Sequence, residues 1–440
     1  MRKSLSLLLA ISITSSQILA CTGISITTKN NQHIQARTIE WGEFPLESKL
    51  IFSPRNQDFR SLTPKGRNGM SWRAKYGFVG ISVVNDGFIG EGINEAGLNA
   101  GLFYFTHYGS LAPYDSKDDI ISISDMELTK YILSSFSSVE EVKEAFKHIK
   151  VVPFMLEKDG KALPTAHWRV NDAKGGRIVI EIMQGRVHIY ENSIGVLTNS
   201  PDYAWQLTNL NNYVNLRPGS AQSFKMQKQN IFPVGAGSAM LGLPGDFTPP
   251  SRFVRAAFFL NTAPITNNSY EAVTQAFHLL NLFDLPIGSE YTDKNKIPPT
   301  LPSATQWSAV SNQSEKEFYY RTMHNSQIRK IDLKKIDFTK IVWKAQELDP
   351  IKQENFQEVF YNDQKNNQQK KYKPTLPQAP TQSQQPLIPE LESKQKSNSP
   401  IPIPPTEKSN TPIPIPPTEK SNTPIPIPPS QKSPSLPPSL

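Results

Sequence analysis

Cys21 is the one cysteine in this 440-residue chain, and the residues before it decide what its thiol can do. Met1-Arg2-Lys3 leads into a mostly apolar stretch from Leu5 to Ile13, then a polar patch from Thr14 to Gln17, then Ile18-Leu19-Ala20. A basic start, a short apolar run and a small residue at its end form the pattern of a removable leader, which predicts cleavage after Ala20. Cys21 then becomes the first residue and carries both a thiol and a free α-amino group. An ordinary thiol, with a pKa of about 8.5, is mostly protonated at neutral pH. An α-amino group titrates at about 7.7–8.0 and can take the thiol proton. One residue thus supplies a nucleophile and its base. Arg37 offers a cation that favours the thiolate, and Glu40 offers an acceptor that orients the new ammonium.

These groups work together only if the chain folds back beside Cys21. Gly23 to Thr28 alternates polar and apolar residues and reads as a strand, Asn30-Asn31 as a turn, and His33 to Trp41 as the returning strand. Further strands are predicted at Phe78 to Val84, Gly101 to Phe105, Arg177 to Ile182 and Arg186 to Tyr190. Helical spacing marks Ser124 to Ser134, Ser138 to His148, Ser251 to Phe259 and Ser269 to Leu280. Ser138 with Glu141 forms a capping-box start. Asn94-Glu95-Ala96-Gly97 reads as a turn between strands. Paired strands with paired helices place the chain in the α+β class, as stacked sheets covered by helices.

Cys21-Thr22-Gly23, Arg37 and Glu40-Trp41 resemble the opening of the choloylglycine hydrolase family, as do several later motifs. These are Asn94-Glu95-Ala96-Gly97-Leu98, Gly101-Leu102-Phe103, His167-Trp168, Val196 to Pro201, Leu243 to Asp246, Pro250 to Phe253 and Tyr319 to Thr322. The family includes penicillin V acylases, bile salt hydrolases and acyl-homoserine-lactone acylases, all N-terminal-nucleophile hydrolases. The resemblance implies an αββα four-layer sandwich and attack by Cys21 Sγ on a substrate amide, giving a thioester. It implies an oxyanion hole from the Asn199 side chain and the backbone N–H of Phe103. Arg37 and Arg252 would flank the thiol, with Arg255, one helical turn on, as the rival inward-facing residue. Glu40 stands where many members have aspartate, and Phe103 where they carry asparagine or tyrosine. Trp41, Phe44, Phe103, Tyr104 and Phe105 would make an aromatic pocket for phenoxyacetyl-like or fatty acyl chains. Related enzymes are often homotetramers, which implies a homo-oligomer.

The function expected on this resemblance is cleavage of a linear N-acyl amide, penicillin V-like or an N-acyl-homoserine lactone, with conjugated bile salts as the alternative. No metal or organic cofactor is implied. The histidines form no HExxH pattern, and His167 reads as a core or turn residue. Gly235-Ala236-Gly237 lacks the third glycine of a nucleotide loop, since Met240 stands there. A reading from another class is a lipid-anchored binding protein: Ile18 and Ala20 also fit a lipobox, and an alkylated sulfur cannot attack.

Composition sets the remaining bounds. The net charge is +8, but many of the lysines lie in the low-complexity C-terminal part, so no nucleic-acid footprint is visible. No apolar run reaches the roughly 20 residues a membrane span needs. Secretion or periplasmic export is therefore expected. The expected domains are a leader (1–20), a catalytic domain (21–345), a polar linker (346–395) and a proline-rich tail (396–440). The tail repeats a twelve-residue unit from Lys396 and holds Pro-Ile-Pro-Ile-Pro-Pro motifs that favour polyproline II. It is expected to be disordered, as a spacer or as an arm for an envelope or protein partner.

Overall fold

The hairpin forms around Asn31, whose φ of 56° is one that asparagine tolerates. Its strands are β1 (Ala20–Thr27) and β2 (His33–Glu40). The computed structural model describes residues 20–156, 162, 165–359 and 361; leader residues 1–19 and the repeat tail lie outside them. The antiparallel register sets Ala20 against Glu40, Cys21 against Ile39 and Gly23 against Arg37. Paired residues share a face. Cys21, Gly23 and Arg37 therefore look one way, and Ala20, Thr22, Ile24 and Glu40 the other.

Twelve more strands complete two antiparallel sheets: β3 (Lys49–Ser53), β4 (Phe78–Val83), β5 (Asn85–Asn94), β6 (Asn99–Phe105), β7 (Thr165–Asn171), β8 (Arg177–Met183), β9 (Arg186–Glu191), β10 (Val196–Leu197), β11 (Thr305–Asn312), β12 (Glu317–Thr322), β13 (Asn325–Asp332) and β14 (Lys344–Glu347). The first sheet runs β10-β1-β2-β11-β12-β13 and the second β9-β8-β7-β6-β5-β4-β3-β14. Helix α1 (Leu128–Ser135) packs on the second sheet; α2 (Val139–Ala145) follows it, and α3 is Tyr203–Asn209. Helices α4 (Pro249–Thr262) and α5 (Ser269–Leu280) cover the first sheet. The fold is the expected αββα sandwich.

Local chemistry fixes these elements. Proline in the first turn of α4 suits a position whose N–H has no helical partner. Ser138 caps α2 by accepting from Glu141 N at 3.2 Å. Glu141 reaches back to Ser137 N at 2.6 Å, one residue earlier than the capping box predicts. At the β5–β6 turn Asn94 Oδ1 accepts from Ala96 N and Leu98 N at 3.0 Å, while Gly97 takes the left-handed φ of +90°. On the outer face of the first sheet Ile24, Ile26, Ile34 and Ala36 share a core with Phe253 and Ala256 of α4 and Ala276 and Phe277 of α5. Each large apolar side chain buried there contributes roughly 1.5–3 kcal/mol.

Between the sheets the packing is polar. Arg169 on β7 donates to Ala36 O at 3.1 Å and lies 3.3 Å from Glu91, which also accepts from Asn99 Nδ2 at 2.7 Å. Gly23 leaves room for this arginine, because a Cβ there would sit 2.4 Å from Arg169 Nη1.

The expected domain end at 345 falls inside a strand. Residues of β14 pair with β3 as far as Glu347 opposite Lys49. Leu348 O then accepts from Tyr320 Oη at 3.3 Å, and the Asp349 carboxylate accepts from Arg329 and Thr322. A four-residue edge strand exposed at both ends and half-buried between looks polar in composition, which is why the sequence hides it. A chain ending at 360 should melt with the full-length protein, whereas one ending at 345 loses ladder bonds and a charge-assisted contact worth ~2 kcal/mol. Thermal unfolding by circular dichroism should show a drop of about 3 °C for the shorter chain alone.

Candidate active site

Cys21 lies buried near the start of β1, where its backbone N–H donates to Asn199 Oδ1 at 2.8 Å. This nitrogen is an amide joined to Ala20. Asn199 arrives there because β10 pairs Leu197 with Gly23 and the chain continues past Cys21. The Asn199 side chain is fixed at both ends: Nδ2 donates to Tyr104 O at 2.8 Å, and Oδ1 also accepts from Arg252 Nη2 at 2.8 Å.

Of the two rival arginines on α4, Arg252 faces the site. Its Nη1 donates to Cys21 O at 2.5 Å and Thr22 Oγ1 at 2.9 Å, and its Nε to Phe247 O at 2.9 Å. Arg255 instead braces the loop before the helix, donating to Pro244 O and Asp246 O. Arg37 enters from β2 beneath the thiol. Its Nη1 donates to Leu102 O at 2.6 Å and Gly90 O at 2.9 Å, and lies 3.6 Å from Glu91. Its Nη2 is buried without a hydrogen-bond partner among the described residues.

The backbone donor beside the thiol belongs to Tyr104, one residue on from the expected Phe103. Tyr104 N–H hydrogen-bonds Cys21 Sγ. Along a strand the N–H and C=O of one residue share an edge, and those of its neighbour point to the other. Pairing with β5 ends at Gly101, so beyond it this edge of β6 is open to the site. Arg37 takes Leu102 O and Asn199 takes Tyr104 O along that edge, while Phe103 is turned to the β7 ladder opposite His167.

The expected aromatic pocket divides in the same way. Trp41 meets Phe44 and Tyr104 edge-on, with ring centroids 5.4 and 6.1 Å apart, and all three are half-buried and reachable. Phe103 and Phe105 are fully buried and line no opening. The Phe103 ring lies 4.2 Å from the Arg37 guanidinium, and Phe105 stacks on His167 at 4.4 Å. His167 is a core residue between Glu181 Oε1 at 2.9 Å and Thr198 O at 3.0 Å. Glu40 is buried on the opposite face of the first sheet from the thiol, with Thr305 Oγ1 3.3 Å away.

Burial dominates the electrostatics of the site. It pushes the Cys21 thiol up; Arg37 pulls it down, Glu40 pushes it up, and Arg252 and the Tyr104 N–H pull it down. Burial also raises the Glu40 carboxyl to about 8 and lowers the Arg252 guanidinium to about 10. Sequence reasoning missed Glu91, Arg169 and Glu290. Glu290 lies on a short turn (Ile287–Glu290) over Gly42, where a Cβ would collide with Glu290 Oε2. Strand phase was the one sequence signal that would have identified Tyr104; the three charged residues carry no local signal.

In protein with a free Cys21 terminus, these signs give opposite shifts in the pH profile of iodoacetamide alkylation. Arg37→Leu removes a neighbour that favours the thiolate and should raise the midpoint by ~1 unit or more. Glu40→Gln removes one that opposes it and should lower the midpoint. Shifts in the same direction would show that packing rather than charge controls the thiol.

Comparison with known proteins fits this geometry. Residues 21–350 match the family described as linear amide C–N hydrolases, choloylglycine hydrolase family. A bile salt hydrolase/transferase from Clostridium perfringens is 34% identical over 323 residues, 72% of this chain and 93% of that protein. The penicillin V acylase of Pectobacterium atrosepticum is 26% identical over 366 residues, 78% and 88% of the two chains. A crystallised mutant of the conjugated bile acid hydrolase from Clostridium perfringens superposes with a TM-score of 0.66 at 31% identity, covering 77% of this chain and 100% of that one. The thiol, asparagine and arginines converge on a fold that those proteins share: the chain belongs to the choloylglycine hydrolase family of linear amide C–N hydrolases.

Proposed function

We propose that this hydrolase is exported, loses residues 1–20, and uses Cys21 to cleave N-acyl amides through a thioester. The observation that carries the reading is the convergence on buried Cys21 of Asn199 at its backbone N–H, Arg252 at its carbonyl, and Arg37 and the Tyr104 N–H at its thiol. With the leader gone, the α-amine takes the thiol proton and Sγ attacks the substrate carbonyl. The oxyanion lies between the Tyr104 N–H and the second hydrogen of Asn199 Nδ2, the first being held by Tyr104 O. Each such donor supplies on the order of 3–4 kcal/mol. The protonated amine then passes its proton to the leaving nitrogen, and water hydrolyses the thioester by the reverse sequence.

The half-buried trio Trp41, Phe44 and Tyr104 suits an aryl or fatty acyl group, which favours penicillin V-like or N-acyl-homoserine lactone substrates. Similarity to bile salt hydrolases supports a second reading, in which a bulkier acyl group is taken. Steady-state rates on the three substrate types, run on protein with a sequenced Cys21 terminus, separate them. Cys21→Ala should remove turnover, and rapid-quench mass spectrometry of the wild type should find the acyl group on Cys21. Turnover surviving in Cys21→Ala, or a diacylglyceryl adduct on the mature sulfur, defeats the reading.

A further inference from the structure

Besides Arg37, a second arginine lies under β1 on the face that carries the thiol. Arg169 comes from β7, and Gly23, two residues along β1 from Cys21, leaves the space that its guanidinium fills. The side chain is fully buried. Its Nη1 donates to Ala36 O at 3.1 Å and Ile24 O at 3.4 Å, and its Nη2 to Glu91 Oε1 at 3.3 Å. Burial lowers the guanidinium to about 10, which leaves it charged at neutral pH. Neither the attack nor the oxyanion uses this cation.

Glu91 bridges the two guanidiniums, and its oxygens are not shared equally. Oε1 accepts from Asn99 Nδ2 at 2.7 Å and from Arg169 Nη2. Oε2 faces Arg37 Nη1 at 3.6 Å, beyond hydrogen-bond length, and has no hydrogen-bond partner among the described residues. Gly101 gives Oε2 its room, because a Cβ there would sit 2.0 Å away. Asn99 Nδ2 is itself held, 2.8 Å from Gly92 O and 3.0 Å from Ser311 Oγ. The Phe103 ring is within cation–π range of both arginines, 4.2 Å from Arg37 and 5.4 Å from Arg169. Arg177 on β8 acts on Arg169 as a like charge, and the thiol is faced by Arg37, Arg252, Glu40 and the Tyr104 N–H. Two cations sharing one carboxylate leave one positive charge beneath the sulfur. With Arg169 neutral, Glu91 and Arg37 would form a pair of no net charge, and Arg37 would favour the thiolate less.

We infer that Arg169 is a positioning residue for the nucleophile: it holds the Glu91 carboxylate off Arg37, so that the Arg37 charge is left for the Cys21 thiolate. This rests on the reading of Cys21 as the amidase nucleophile. Arg169 acts through Glu91 and Arg37 rather than on the reacting atoms.

The pH profile of Cys21 alkylation by iodoacetamide, measured on full-length processed protein, tests it. Arg169→Met should raise the midpoint by ~1 unit or more. Its kcat/KM for an N-acyl amide at pH 7 should fall about tenfold, through kcat, as the thiolate fraction falls. Adding Glu91→Gln to Arg169→Met should bring the midpoint most of the way back, because Arg37 then has no competing carboxylate. Arg169→Lys keeps the charge and should stay closer to the wild type than Arg169→Met does. An unchanged midpoint in Arg169→Met, or a double variant as high as the single one, overturns the inference, and Arg169 then only packs the core. Should Arg169→Met not fold, Glu91→Gln alone decides: its midpoint should fall, and a rise or no change overturns the inference. A wild type that cleaves no acyl amide, with these shifts intact, defeats the amidase reading and leaves the charge arrangement standing.

Discussion

A thiolate buried between two sheets loses more by desolvation than any single neighbour returns, and the arrangement around Cys21 answers that cost. Two arginines approach it from different layers: Arg37 from the inter-sheet space and Arg252 from the helix that covers the first sheet. Each guanidinium must itself be desolvated, and each meets that cost with backbone carbonyls rather than a tight carboxylate pair. Arg37 uses Thr38, Gly90 and Leu102; Arg252 uses Cys21 and Phe247. Carbonyl partners satisfy the donors without cancelling the charge, so most of the positive field remains for the sulfur. Glu91 is the partial exception, 3.6 Å from Arg37, and Arg169 and Asn99 share it.

Those carbonyls also tie the site to the fold. Leu102 O and Tyr104 O are free to accept only because the β5 pairing stops at Gly101 and leaves one edge of β6 open. The same open edge delivers the Tyr104 N–H to the thiol. A strand longer by one ladder step would consume the donors and acceptors that organise the nucleophile. The absence of a side chain at Gly23 has a comparable effect, because it lets Arg169 and Phe103 pack directly under β1.

The sequence revealed most where a local pattern coincides with the chemistry. The alternation in β1, the Asn31 turn and the spacing to Arg37 are all local, so the hairpin and its charge were legible. Asn199 and Arg252 became legible only through family motifs, since each reaches Cys21 across more than a hundred residues. The backbone N–H at the thiol belongs to Tyr104 rather than Phe103 because a motif gives position but not strand phase, and in a strand one residue is the difference between opposite edges. Phe105 was misread for a related reason: an aromatic run suggests a pocket, but alternate residues of a strand go to opposite faces. Glu290 and Glu91 belong to no pattern; only the folded chain brings Glu290 near Glu40 and Arg252, and Glu91 near Arg37.

Ala20 links these points. While it is attached, Cys21 N is an amide with one hydrogen, and that hydrogen is spent on Asn199 Oδ1. The fold, the asparagine clamp and both arginines are therefore assembled before any base exists. Freeing the nitrogen supplies two further positions for protons or a lone pair without disturbing the bond to Asn199. In the proposed mechanism one of these serves the thiol and the other the leaving nitrogen. Under the proposed processing, geometry and reactivity are set by separate events: folding places the sulfur, and cutting one peptide bond would supply the base.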